Sequence, residues 1–441
     1  MYDYDVLVIG GGVSGFVAAV NAKKFYPSKR VAVIEKSPKK LIPCGIPYIF
    51  NTYKIDDNLM HLETKLKNLD IDLIKNTVIS VDVNNKNIML ANVETVYYDK
   101  LIIATGSVPV IPDIEGIEHC CFIEKKYSYL KELVKKVKDA KKITIIGGGF
   151  IGIELADELS KKNSKEITLI EAMPSLLPNT FDSDFSVMAK SLLQKKVNVK
   201  TGVKIERIEK NGKTFEVSGE GFKINSDLII TAVGFKPNTD MFKNVLPMNE
   251  KGFIGADDYF RVTKDVFAIG DCVEHREFFT SNPTPLMLAS TAAFDARVAA
   301  ANLYELRIIR HNKDALNIYS TVIGDKMFAA VGITEQKAKE EGFEIKTFKT
   351  TTHSTHPPKF SHSTDVTLKL IFSKKDLYLL GAQMCGGINS AEIINILSLA
   401  IQKNATATDL YTMQIGTHPV LTPPPTFYPI AATAAEALKN T

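Results

Sequence analysis

Cysteine is scarce in this chain: five in 441 residues, at 44, 120, 121, 272 and 385. Cys44 stands between two prolines in LIPCGIPYIF, residues 41–50, and no second cysteine follows nearby. Pro47 suits the first turn of a helix, which would place Cys44 at a helix N-terminus. The helix dipole there lowers a thiol pKa and holds a thiolate. The bland alternative is a buried small hydrophobe, the usual fate of a free cysteine. A dithiol stores two electrons by itself, whereas one thiol cannot. Cys44 must borrow a second sulfur from its substrate as Cys44–S–S–R, or be oxidised to a sulfenic acid.

Two glycine motifs supply the rest of the chemistry. The first is Gly10, Gly12 and Gly15, with Val13 and Ser14 between the last two. Its first glycine permits a tight turn, the second lets backbone approach a pyrophosphate, and the third lets helix and strand pack closely. The following helix offers free N–H groups to the phosphates. Glu35 ends the next strand, VAVIE, about twenty residues after Gly15, where an acid can hold a ribose; Lys36 follows it. The second motif is Gly147, Gly149 and Gly152, with Phe150 and Ile151 inside it and Glu171 ending ITLIE. Glu171 would repel a 2′-phosphate, which favours NADH and leaves NADPH as the alternative donor; otherwise it is a solvated strand end. Phe150 is either core or a gate against a nicotinamide ring.

The elements that must position these residues are legible as a repetition. DYDVLVIGGGVSGFVAAVNAKK (3–24) and KKITIIGGGFIGIELADELSKK (141–162) share an apolar run, glycines and a helix-like stretch. Such runs read as buried parallel strands. The expected fold is α/β: two doubly wound dinucleotide-binding domains plus a C-terminal α+β domain. YDKLIIATGSVPVIP (98–112) closes the insertion between the repeats, and SDLIITAVGFKPNT (226–239) closes the second unit. VFAIGDC (266–272) and ASTAAFDARVAAANLYEL (289–306) look like a return to the first domain. The expected boundaries are 1–112 with 240–315, then 113–239, then 316–441. The last third alternates strands with amphipathic helices, and KTTTHSTHPPKFSHST (349–364) reads as a loop.

Two dinucleotide sites in one chain suit a flavoprotein reductase, with one cofactor fixed and the other mobile. Asp271, after a buried strand, is placed to accept from a ribityl hydroxyl, or to N-cap the segment after it. The double glycine motif, ATGS, AVGFKPN and IGDC resemble the FAD-dependent pyridine nucleotide-disulfide oxidoreductases over essentially the whole chain. The resemblance implies FAD in the first domain, NAD(P)H in the second, and a C-terminal dimerisation domain at 316–441. It implies a homodimer whose active site takes residues from the partner's last domain. The cofactor-binding residues it implies are Gly10, Gly12, Val13, Ser14, Gly15, Glu35, Lys36, Val78, Ala104, Thr105, Gly106, Gly147, Gly149, Phe150, Ile151, Gly152, Glu171, Gly234, Gly270, Asp271 and Ala289.

PCGIPY resembles the single-cysteine branch: coenzyme A disulfide reductases, persulfide reductases, NADH oxidases and NADH peroxidases. Oxidases and peroxidases of this branch usually carry a histidine in the first helix; here Ser14 and Gly15 stand in that region. The tyrosines that accompany coenzyme A are replaced by Phe360 and Leu421, with Tyr428 further on. His418 before Pro419 resembles the His-Pro pair that glutathione-reductase-like members use as general acid/base; the alternative is a surface loop histidine. His353, His356 and His362 are weaker candidates, and no metal is proposed.

The expected activity is NADH-dependent reduction of a low-molecular-weight disulfide, persulfide or polysulfide by Cys44, with His418 as proton donor. The alternatives are oxygen or peroxide reduction through a Cys44 sulfenate, and an electron-delivery module for a protein partner. A net charge of +4 is too weak to argue for nucleic acid. No apolar run reaches the ~18–20 residues that span a bilayer. Sparse, unpaired cysteines fit a reducing cytoplasm, and no signal peptide is expected. Cys120 and Cys121 read as packing, Cys272 as buried near FAD, and Cys385 receives no role. Lys23, Lys24, Lys39 and Lys40 read as solvated, with the phosphates of a coenzyme A moiety as the alternative partner.

Overall fold

The computed structural model describes residues 3–37, 39–162, 164–312, 314–360 and 362–439. The apolar run Tyr4–Ile9 forms a strand whose last four residues are buried, paired in parallel with Val31–Ile34 on one side and Thr95–Ile103 on the other. Asp72–Ile74 extends this sheet beyond Val31–Ile34. Val266–Ala268 pairs in parallel with Thr95–Ile103, so the chain returns to the first sheet after building the second. The early part of Thr95–Ile103 also pairs antiparallel with Asn87–Leu90, which pairs with Val78–Asp82. The helices Val13–Phe25 and Ala289–Ala301 pack against each other, with Ala18, Ala19, Ala22, Ala296, Ala299 and Ala300 buried in one core. Small side chains allow this close approach.

The second unit repeats the plan. Asn198–Thr201, Glu166–Glu171, Lys142–Ile146, Leu228–Thr231 and Cys121–Phe122 form a parallel sheet in that order. Cys120 and Cys121 are buried in its cores, as packing residues. The third unit is a five-stranded antiparallel sheet in the order Ile318–Ile323, Lys326–Gly332, Leu379–Gly386, Asp365–Ser373, Ile345–His353. Helices Ile393–Gln402 and Pro429–Lys439 pack on it. The segment expected as a loop from 349 is strand as far as His353. The β-branched Thr350, Thr351 and Thr352 pair with Leu368, Thr367 and Val366.

One core crosses all three units. Leu41, Ile46 and Ile49 flank Cys44 and join a cluster with Ile153 and Leu169 of the second unit and Ile323, Phe328 and Cys385 of the third. A second tie is polar. Asp182 Oδ2 accepts from Lys369 Nζ at 2.8 Å and Gln383 Nε2 at 2.6 Å, and Lys369 also pairs with Glu335 at 2.8 Å. Among the described residues no helix is long and apolar enough to cross a membrane.

Candidate active site

The two glycine motifs adopt the same geometry. Gly10 and Gly147 have φ of 105° and 111°, and their N–H groups donate to Ile34 O and Ile170 O at 2.9 and 2.8 Å. A Cβ on Gly15 would lie 1.8 Å from Gly10 O, and one on Gly152 would lie 1.9 Å from Gly147 O. Those two glycines let helix and turn touch. A Cβ on Gly12 or Gly149 would meet no atom within 4 Å. These two border open space at the starts of helices Val13–Phe25 and Phe150–Ser160, where unpaired N–H groups attract an anion.

The strand-end acids match as well. Glu35 Oε2 accepts from Gly11 N at 2.8 Å and Oε1 from Ser37 N at 2.8 Å. Glu171 Oε2 accepts from Gly148 N at 2.5 Å and Oε1 from Met173 N at 2.7 Å. Glu35 has an extra partner, Lys40 Nζ at 2.8 Å. Burial alone would push the Glu35 carboxyl up, but Lys40 and the two N–H groups outweigh it and hold it below the usual range. Lys40 is therefore a partner of the site rather than a solvated residue, a correction that comes from a pairing five residues apart across a turn. Lys23 pairs instead with Asp70, and Lys39 lies near Asp56 and over the Tyr127 ring.

Both motifs open into one cavity of about 2370 Å³. That is more than twice the upper end of the roughly 300–1,000 Å³ usual for one small ligand, so it has room for two dinucleotides. Gly10, Gly12, Val13, Ser14, Glu35, Lys36, Val78, Ala104, Thr105, Gly106, Gly147, Gly149, Phe150, Ile151, Glu171, Gly234, Asp271 and Ala289 line it. Gly15, Gly152 and Gly270 lie behind its wall. Gly270 has φ +74°, and a Cβ there would lie 2.9 Å from Ser14 Oγ. Asp271 sits within a 3₁₀ turn, Gly270–Cys272, and is not an N-cap. Its Oδ2 accepts from Ser107 Oγ at 2.6 Å and Lys125 Nζ at 2.9 Å. Cys272 is buried, its thiol against Ile103 O and Ile269 O.

Cys44 lines the same cavity and is exposed; the other four cysteines are buried. Its local structure differs from expectation. It lies in a short 3₁₀ turn, Pro43–Gly45, and a second turn, Pro47–Phe50, comes next. Two prolines four residues apart, each fixing its own φ, divide the segment before an α-helix can form. Cys44 therefore does not begin an α-helix. By area the residue is exposed to the cavity, yet protein atoms crowd its sulfur. That crowding pushes the thiol pKa up, Glu154 adds to the rise, and Lys125 opposes it. In the protein without cofactors the thiol is thus less acidic than an ordinary one, contrary to expectation.

Several cavity residues carry little or no sequence signal. Glu154 lies on the Phe150–Ser160 helix, its carboxyl held above the usual range by burial although Thr321 Oγ1 donates to it at 2.7 Å. Tyr319, its pKa pushed up to about 12 by burial, stacks on Phe150 with ring centres 5.3 Å apart. Phe150 is thus part of the cavity wall. Thr321 and Tyr319 come from the first strand of the third unit, whose sequence has no nucleotide motif. Glu158, fully buried on the same helix, accepts from Thr52 N at 2.5 Å and so clamps the chain just after the Cys44 turns. Only the acid-every-turn pattern ELADE hints at these roles.

His418 is not among the cavity's lining residues. It sits on an exposed loop, its Nδ1 accepting from Val420 N at 3.3 Å. His356 lies beside it in space, donating its N–H to Pro419 O at 3.0 Å. His353 lies 3.3 Å from Asp365, and His362 stacks on Phe360. Leu421 is exposed, whereas Tyr428 is buried in the third unit's core.

Residues 4–296 match the pyridine nucleotide-disulphide oxidoreductase family, and residues 318–426 match the dimerisation domain of that family. The chain is 29% identical to an NADH oxidase of Enterococcus faecalis over 423 residues, covering 92% of this chain and 93% of that one. It is 29% identical to an NAD(P)H coenzyme A polysulfide/persulfide reductase of Pyrococcus horikoshii, covering 86% and 87%. Among solved structures, an NAD-dependent persulfide reductase from A. fulgidus superposes with a TM-score of 0.89 at 27% identity, covering 99% of this chain and 83% of that one. The cavity fits the cofactors these matches imply: two open glycine edges, each with an acid at its strand end, one on each nucleotide-binding unit. With Cys44 on the same cavity wall, the chain belongs to the pyridine nucleotide-disulphide oxidoreductases and is an FAD-dependent enzyme oxidising NADH.

Proposed function

We propose that this enzyme reduces a low-molecular-weight disulfide, persulfide or polysulfide through Cys44. The observation that carries the reading is that the one exposed cysteine lies on the wall of the cavity shared by both glycine motifs. FAD, when bound, relays the electron pair of NADH to the sulfur side of the cavity. Gly10 to Gly15, Glu35, Thr105, Gly106, Gly270 and Asp271 would hold it, and Gly147 to Gly152 with Glu171 and Gly234 would hold NADH. The Cys44 thiolate attacks one sulfur of R–S–S–R′. The Cys44–S–R bond forms, the S–S bond breaks, and R′–S⁻ takes a proton. Two electrons and a further proton then release R–SH and restore Cys44. The net change is NADH + H⁺ + RSSR′ to NAD⁺ + RSH + R′SH.

Within the chain, Glu154 keeps a proton to higher pH than an ordinary carboxyl, in the cavity and near enough to act on Cys44. His418 lies outside the cavity of its own chain, and its Nδ1 is engaged as an acceptor, so its neutral ring carries the proton on Nε2. It would serve the partner subunit's cavity in a homodimer built through the C-terminal domain. A second reading, oxygen or peroxide as acceptor, has support in the relative named NADH oxidase. Against it, the Val13–Phe25 helix holds no histidine. Steady-state NADH oxidation with coenzyme A disulfide, polysulfide, peroxide and oxygen in parallel separates them. Sulfur turnover abolished by Cys44→Ser is the expected result; undiminished sulfur turnover in that variant sinks the reading.

A further inference from the structure

The Gly270–Asp271 turn is gripped from behind by two buried side chains that are not on the cavity wall. Asp295 Oδ2 accepts from Gly270 N at 3.0 Å and lies 2.9 Å from His275 Nε2. Asp295 is 0% exposed and His275 5%. Both contacts fall on the same carboxylate oxygen. Among the described residues Asp295 Oδ1 and His275 Nδ1 find no hydrogen-bond partner. A bare buried lone pair is tolerated better than a bare buried N–H. The tautomer with its proton on Nε2 directs that N–H at the carboxylate and leaves only a lone pair on Nδ1.

A buried carboxylate is an expensive neighbour for the alanines that make up most of the Ala289–Ala301 helix. What it answers is the Gly270 N–H. That group cannot turn to solvent, because Gly270 is wedged between Ser14 and Ala292 with φ +74°. The same helix starts at the cavity, where Ala289, Ser290 and Ala292 line the wall. One helix thus touches the cavity with its first turn and holds the neighbouring turn with Asp295.

We propose that Asp295, backed by His275, is a positioning residue for the flavin cofactor: it fixes the Gly270–Asp271 turn so that Asp271 stands in the cavity wall with Ser107 and Lys125. The inference rests on the reading that FAD lies along this wall and is independent of the sulfur acceptor. Asp295→Asn keeps an oxygen where both donors point. Asp295→Leu keeps similar volume and removes the acceptor. Flavin fluorescence on reconstitution gives the FAD dissociation constant for each, and urea unfolding of the apoprotein reports stability separately.

The leucine variant should bind FAD about tenfold or more weaker, since a buried N–H loses its acceptor, and the asparagine variant should stay within about threefold of wild type. A merely structural role would move the unfolding midpoint and leave the dissociation constant alone. If the leucine variant does not fold, Asp295→Ala, which favours the helix, is judged by the same criterion. Wild-type affinity in the acceptor-less variant, or equal losses in both variants, overturns the proposal. Asp271→Ala locates the fault. Weakened FAD binding there puts it in Asp295; unchanged binding there puts it in the placing of FAD along this wall.

Discussion

Gly12→Ala and Gly15→Ala, three residues apart in one motif, should fail for opposite reasons. At Gly15 the new Cβ would start 1.8 Å from Gly10 O, and real Cβ atoms essentially never come within 3.0 Å of such a neighbour. The opposing atom is backbone, so the Val13–Phe25 helix must move off its strand by more than ~1 Å. That shift loosens Ala18, Ala19 and Ala22, all fully buried, and overpacking of this sort costs ~1–3 kcal/mol or more. At Gly12 the Cβ meets no protein atom. The apoprotein loses at most the ~1 kcal/mol or so that separates Gly from Ala at an N-cap. The methyl instead enters the space into which the motif's N–H groups open. Gly12→Ala should therefore unfold in urea near the wild-type midpoint while losing FAD, by at least about tenfold in affinity. Gly15→Ala should unfold early with or without FAD. Urea midpoints of the apoproteins and FAD titration by flavin fluorescence measure both. Tight FAD binding by Gly12→Ala would refute the placing of the pyrophosphate at this edge.

The second motif offers the matching test: Gly149→Ala should raise KM for NADH at least about tenfold and leave bound FAD in place, as absorbance and stopped-flow reduction would show. Cys44 alkylation in the apoprotein should respond in opposite senses to its two charged neighbours. Removing the anion in Glu154→Gln lets the thiolate form at lower pH and speeds iodoacetamide reaction at neutral pH. Removing the cation in Lys125→Met slows it, and shifts of the same sign would contradict the geometry. Lys369→Met strips Asp182 of its buried cation, at a cost of about 3–5 kcal/mol. Calorimetry should show a lowered unfolding temperature, and hydrogen exchange should loosen first where Asp182 meets Gln383 and Glu335.

The parts of the fold legible without coordinates are those coded over short spans. Strand, glycine turn and helix at 4–25 and at 142–160 result from backbone sterics within each segment, and they appear where the repetition places them. The acids Glu35 and Glu171 are set by strand length. The Cys44 turn misleads because a proline that can begin a helix also ends one: Pro43 and Pro47 together leave two short turns. The end of the strand Ile345–His353 reads as loop because the histidines and prolines that follow mask three pairing threonines. Tyr319, Lys125 and Asp295 leave no local trace, and Glu154 leaves only the acid spacing of ELADE.

By itself, then, the sequence determined the two nucleotide-binding frames, the acids that end their second strands, and the lone thiol between two prolines. Each of these depends on torsions and spacings within a few dozen residues. The tertiary structure alone decided what surrounds that thiol. Glu154 and Lys125 come from the second unit, and Tyr319 and Thr321 from the third. Acidity and hydrogen bonding are set by which charges and dipoles lie within a few ångströms in a water-poor space, and residues 80 to 280 positions away reach that range only once all three sheets have packed together.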